Sequence, residues 1–240
     1  MNDLEVLNVI YKFNEKYMAN DWNGINNDKI NYSIINGKTP ILLSAPHAVR
    51  SVKNGSSKGA DILTGPIVEF LCKETGANGI IRTYNLQDEP NSSNIGYSLR
   101  YKEAIIDLVN RNDIKCIIDI HGCHERHPFD FEIGTNNGLN INNMNNFLDT
   151  ICEGFATIGE TVVDKKFKAS LETNICNYIS KKSRIPCFQV EINSKFRKKA
   201  ENLVILLDCF TRIIQELEKQ VEQSQANSQV VCRRAFGIDR

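Results

Sequence analysis

Short apolar runs alternating with helical stripes constrain this chain most. Ile41-Leu-Leu-Ser44, Gly79-Ile-Ile-Arg-Thr-Tyr84, Ile114–Ile120 and Ile185–Ile192 read as buried strands, and Phe129-Asp-Phe-Glu-Ile133 alternates as a short one. Helical spacing separates them. Asp61 opens a pattern with Ile62, Leu63, Ile67, Val68, Phe70 and Leu71 that ends near Gly76. Tyr101, Ala104, Ile105, Leu108 and Val109 form a second stripe, and Ile141, Met144, Phe147, Leu148, Ile151 and Phe155 a third. A short helix is expected near residues 4–18 and a long one near 198–222. This alternation predicts an α/β fold, a mostly parallel or mixed sheet with helices on both faces. One domain over residues 1–222 is expected, with 223–240, where periodicity fades, as a mobile tail. Residues 51–60 and the polar stretch Asn85–Gly96 read as loops.

Bulk properties exclude several classes. The 29 basic and 29 acidic residues cancel, which removes an electrostatic case for nucleic acid or an anionic membrane surface. No apolar run approaches the roughly 20 residues of a membrane helix. The start Met1-Asn-Asp-Leu-Glu-Val has no basic and apolar leader pattern, so a cytoplasmic protein is expected. The eight cysteines include no Cys-x-x-Cys pair, and reduced thiols are expected. Nothing specifies an oligomeric state.

All four histidines sit where strands end. His47 closes Thr39–His47, and His121, His124 and His127 follow the Ile114–Ile120 run. In open α/β sheets, ligands bind at the carboxyl ends of strands. Imidazole is also the commonest side-chain ligand for zinc. His47 and His121 are therefore the first two candidate metal ligands. Asp61, just past the loop leaving His47, is the candidate third, with helix capping as its alternative role. His124 and His127 read as loop residues near the site.

Glu191 lies in the apolar strand Phe188-Gln-Val-Glu-Ile192, where a carboxylate is costly unless used. It is the candidate catalytic base, and the alternative is a structural carboxylate paired with Arg197 or a lysine. Arg82, Arg100 and Arg126 could grip a substrate carboxylate bidentately. Cys123, among the histidines, leaves a cysteine nucleophile open.

Several of these segments resemble motifs of the N-formylglutamate amidohydrolase family. They are Ser44-Ala-Pro-His-Ala48, Asp61, Ile118-Asp-Ile-His-Gly122, Phe131-Glu-Ile-Gly-Thr135, and Gln189-Val-Glu-Ile-Asn193 with Arg197. The likeness spans roughly residues 39–217. It implies a zinc-dependent hydrolase of zinc-carboxypeptidase-like α/β/α fold, acting on an N-acylated acidic amino acid or small peptide. Carried over by position, His47, Asp61 and His121 would hold one zinc ion and Glu191 would activate water. The sequence departs from the family's Arg…Asp-x-Asn-Arg pattern. Arg82 and Asn91 stand as substrate contacts, but no arginine follows Asn91, and Arg100 would substitute. The expected partner is a small molecule bearing a carboxylate. A cell-wall peptide or amino-sugar amidase, and a metal- or ligand-binding protein without catalysis, stay open as alternatives.

Overall fold

The computed structural model describes residues 1–25, 30–53, 56–85 and 99–235, apart from the side chains of 53, 56 and 227–235. The strands are β1 (Tyr32–Ile35), β2 (Ile41–Ala45), β3 (Ser51–Lys53), β4 (Ser56–Lys58), β5 (Asn78–Arg82), β6 (Cys116–Cys123), β7 (Phe131–Gly134), β8 (Thr161–Val163) and β9 (Cys187–Asn193). Seven form one sheet in the order β1-β5-β2-β6-β9-β7-β8. Strands β5, β2, β6 and β9 are parallel, whereas β1 and β7 run antiparallel to their neighbours β5 and β9.

From β2 the chain crosses to β5 on one side and then returns past β2 to β6 on the other. The strand order therefore reverses between β2 and β6. At such a switch point the two connections leave in opposite directions and open a crevice at the strands' carboxyl ends. His47 and His121 lie at that end.

The helices are α1 (Asp3–Trp22), α2 (Thr64–Thr75), α3 (Leu99–Arg111), α4 (Asn145–Ala156), α5 (Ile175–Ser183), α6 (Ser194–Lys198) and α7 (Ala200–Ala235). They cover both faces. Ile41, Leu43, Ile118, Ile120, Phe188, Val190 and Ile192 point into a core built with α1, α2, α4 and α7. Leu42, Ile80, Ile117 and Cys187 point the other way, onto α3 and α5. Phe131 stacks on Phe155 of α4 with ring centroids 4.5 Å apart, tying β7 to the larger core.

Local chemistry sets the helix ends. Asn2 and Glu5 form a reciprocal capping box at the start of α1. Gly76 ends α2 at φ 74, a left-handed conformation that glycine adopts without cost.

Some boundaries differ from the sequence reading. Residues 51–53 and 56–58 pair as the antiparallel strands β3 and β4 rather than forming a plain loop. The helix expected to open at Asp61 begins at Thr64. The third stripe starts helically only at Asn145, because Asn142 and Asn143 take positive φ and interrupt it. Helix α7 continues to Ala235, past the point where its apolar periodicity fades. No helix among the described residues is long and apolar enough to cross a membrane.

Candidate metal centre

The sheet face under α3 and α5 changes character from one end to the other. Leu42, Ile117 and Cys187 lie side by side across β2, β6 and β9. One pleat further along come Ser44, Asp119 and Gln189. One pleat beyond that are His121 and Glu191, with Glu132 of β7 opposite Glu191. Residues at i and i+2 share a face of a strand, so this register alone gathers the polar groups at the carboxyl end.

A chain of hydrogen bonds orients His121. The Tyr101 hydroxyl donates to the Ile80 carbonyl at 2.7 Å and lies 3.0 Å from Ser44 Oγ. Ser44 Oγ donates to Asp119 Oδ1 at 2.6 Å, and Asp119 Oδ2 sits 2.8 Å from His121 Nε2. With Nε2 held by a carboxylate, Nδ1 is the imidazole atom left for another partner. It lies 3.7 Å from Asp61 Oδ2. Burial opposes charge on His121, but the Asp119 and Asp61 carboxylates outweigh it and hold the ring up to about 10. Without a cation, the protonated imidazole itself balances these acids.

Asp61 does not cap α2. The capping position is Leu63, which makes no side-chain cap bond, and Thr64 Oγ1 donates to the Asp61 carbonyl at 2.7 Å. The Asp61 carboxylate instead accepts from the Gly122 N–H at 3.1 Å, with Lys58 Nζ 3.9 Å away. Burial pushes its acid up, but His121 and Lys58 more than reverse this and hold it well below the usual carboxylate range.

His47 is fastened by its backbone, whose carbonyl accepts from the Asp61 N–H at 2.8 Å. Its ring lies 5.1 Å from that of His121, tilted by 60°. Burial, helped by Lys58, holds it well below the ordinary imidazole range, so the ring is neutral. Its Nδ1 is buried and has no hydrogen-bond partner among the described residues. An orphaned buried nitrogen is costly unless something else satisfies it.

Two imidazoles and a carboxylate are a donor set whose chemistry suits zinc. Two imidazoles on one tetrahedral zinc have centroids roughly 5 Å apart, and its ligand atoms stand about 3.3 Å from one another. The 5.1 Å and 3.7 Å separations lie close to those values. Among the described residues, no three His, Cys, Asp or Glu side chains form a group arranged to hold a metal ion. The His47 nitrogen, the Asp61 carboxylate and the His121 Nδ1, once it gave up its proton, would be the donors to a cation.

Glu191 is buried beside His121, its carboxylate accepting from Gln189 Nε2 at 3.2 Å. Burial raises its acid to about 7, against the pull of His121. Arg197 does not pair with it. The guanidinium donates to the carbonyls of Ile192 and Cys123, both at 3.1 Å, and to that of Ile62. It thereby staples the ends of β9 and β6 to the turn that carries Asp61. A Cβ at position 122 would stand 2.4 Å from the guanidinium carbon, so Gly122 is required by this close approach.

The arginines spread out. Arg82 is buried, 5.5 Å over the Tyr101 ring, and its charge bears on His47. Arg100 is exposed on the first turn of α3 and Arg126 in the turn after β6, and neither side chain bonds these groups among the described residues. Asn91 lies outside the described residues. Burial, reinforced by Glu191, pushes the Cys123 thiol up to about 12, which removes the thiolate that a cysteine nucleophile needs. His124 is exposed, and His127 stacks on Phe129 with centroids 5.3 Å apart.

Sequence reasoning missed three contributors. Ser44 holds Asp119, Lys58 is delivered by β4, and Glu132 is fully buried with Oε1 accepting from the N–H groups of Lys166 and Phe167. For Glu132 a signal existed, since it is an acid inside an alternating apolar strand.

No protein family and no curated protein matches this sequence. Among solved structures, an N-formylglutamate amidohydrolase from Ralstonia eutropha JMP134 superposes with a TM-score of 0.59 at 12% identity, covering 80% of this chain and 98% of that one. The gene product Atu2144 from Agrobacterium tumefaciens follows at 0.53 and 11% identity, covering 80% and 96%. At such identities the likeness is one of fold, and the chain shares with these proteins a mixed sheet flanked by helices on both faces.

Proposed function

We propose that this chain is a zinc-dependent amidohydrolase that cleaves the amide of an N-acylated acidic amino acid or small peptide. The observation that carries this reading is the orphaned Nδ1 of His47 beside the His121–Asp61 pair, at the switch point of the sheet. The name of the Ralstonia protein, which shares the fold, and the motif resemblance both favour such a substrate.

His47, Asp61 and His121 would hold the ion. When bound, zinc acidifies a water molecule and polarises a carbonyl. Glu191, buried and oriented by Gln189, takes the proton of the attacking water and hands it to the leaving amine. Asp119 keeps Nε2 of His121 engaged, so that Nδ1 keeps its aim. Arg82 grips the substrate carboxylate, with Arg126 and Asn91 as further contacts. Arg100 neutralises the charge that develops on the scissile carbonyl.

The test starts with protein purified without chelator or affinity metal. Elemental analysis should find about one zinc per chain, falling sharply in His47→Ala and Asp61→Asn. N-formyl and N-succinyl glutamate and aspartate are then assayed beside muropeptides for release of free amine. Turnover of the acidic N-acyl amino acids supports the proposal. Turnover of muropeptides alone would move the substrate to the cell wall. Retained zinc with no hydrolysis across the panel would leave a binding protein and overturn the enzyme reading.

A further inference from the structure

The apolar end of the same sheet face carries a second chemical pair. Cys176, in the first turn of α5, and Cys187, the first residue of β9, bring their sulfurs within 2.8 Å. That is well inside the sum of two sulfur radii but longer than the roughly 2.05 Å of an S–S bond, and both cysteines are free thiols here. Both side chains are fully buried and pack in one cluster with Ile117, Ile175 and Ile179.

We infer that Cys176 and Cys187 are a disulfide-forming pair that cross-links α5 to the strand carrying Glu191. The geometry favours this pairing over others. Cys116 also lies nearby, but it packs on the opposite face of the sheet, with Ile118 and Ile120, whereas Cys187 faces α5. A bond between residues 11 apart closes a short loop and restrains the unfolded chain. It would also brace the active end. Asn174, which caps α5, donates to Gln189 at 2.5 Å, and Gln189 in turn holds Glu191.

The oxidant is a small disulfide such as oxidised glutathione. One protein thiolate attacks it, forming a mixed disulfide and releasing one glutathione thiolate. The second protein thiolate then attacks the protein sulfur of that mixed disulfide and releases the other glutathione. Two protein thiols lose two protons and two electrons, and the glutathione disulfide gains them. Burial holds both protein thiols above their ordinary range. Exchange therefore proceeds while the chain folds, or when α5 lifts from β9.

The experiment uses the full chain. It is unfolded with reductant, refolded either in a mixture of reduced and oxidised glutathione or in reductant alone, then alkylated in denaturant without reduction and digested. Mass spectrometry of the oxidised sample should show the Cys176 and Cys187 peptides joined, two hydrogens lighter than their sum, with the other cysteines alkylated. The oxidised protein should melt several degrees above the reduced one, a gap that closes in Cys176→Ala. Full alkylation of both residues after oxidative refolding, or a cross-link of either to Cys116, would overturn the inference. The cross-link map of the unaltered chain decides even if the variant folds poorly.

Discussion

The two faces of the central sheet are built to different rules. On the side of α1, α2, α4 and α7, β2, β6 and β9 present apolar residues throughout, from Ile41 and Leu43 to Phe188, Val190 and Ile192. On the side of α3 and α5 the same strands begin apolar, at Leu42, Ile117 and Cys187, and end polar, at Ser44, His121 and Glu191. The first face can be assembled by burial alone, at roughly 25 cal/mol for each Å² of apolar surface removed from water. The second buries polar atoms that need partners, and Tyr101, Ser44, Asp119 and Gln189 supply many of them, whereas His47 Nδ1 is left without one. Apolar burial therefore concentrates on one face and the buried polar groups on the other. The strands that carry those polar groups are packed on their reverse side.

Substitutions on the two faces should separate these roles. The largest effect is expected from Glu191→Gln, which keeps the shape and removes the base. Turnover should fall by about 10²–10⁴, with zinc content and melting temperature close to those of the unaltered protein. Full activity in this variant would remove Glu191 from the mechanism. On the opposite face, Phe155→Ala takes away a ring stacked on Phe131 and set edge-on to Phe210. Chemical denaturation should record a loss of about 3–5 kcal/mol, while turnover per folded molecule stays unchanged. A specific loss of turnover there would show that the two faces are coupled. Asp119→Asn comes next. It keeps the hydrogen-bond shape but weakens the hold on His121 Nε2, and zinc affinity should drop by about 10- to 100-fold in a competition titration.

This division also explains what the sequence disclosed. Strands β6 and β9 were readable because apolar residues alternate with Asp119 and His121, and with Gln189 and Glu191, so that acids and imidazole stand out against isoleucine and valine. The sequence placed His47 and His121 at strand ends, and the sheet order, which the sequence did not disclose, puts those ends at a switch point beside Asp61. Other features leave little trace. The β1, β8 and α5 segments are too short to display a period, and the two three-residue strands β3 and β4 hide in a Ser, Gly and Lys stretch that reads as loop. Arg197 looked like a partner for Glu191, because both are charged and near in sequence. It bonds three backbone carbonyls instead, and a carbonyl acceptor has no identity in the sequence. Ser44 reads as one more small residue of a buried strand until its neighbour across the sheet is known.

Ser44 also gives the finest test of the comparison, because it sits where the face turns from apolar to polar. Ser44→Ala removes the hydroxyl that donates to Asp119 Oδ1 at 2.6 Å, leaving that oxygen buried without this donor. A hydrogen bond to a charged group contributes about 1.5–3 kcal/mol, so a stability loss of that order is expected. Asp119 keeps its bond to His121 through Oδ2, so the imidazole stays oriented, and zinc affinity should change by less than the roughly tenfold minimum expected for Asp119→Asn. Denaturation and a zinc competition titration on the same preparation separate the two quantities. If affinity fell as far as in Asp119→Asn, the hydroxyl and not the carboxylate would be setting the position of the imidazole. If neither quantity moved, the polar end of the face would not depend on the hydrogen-bond chain from Tyr101 to His121.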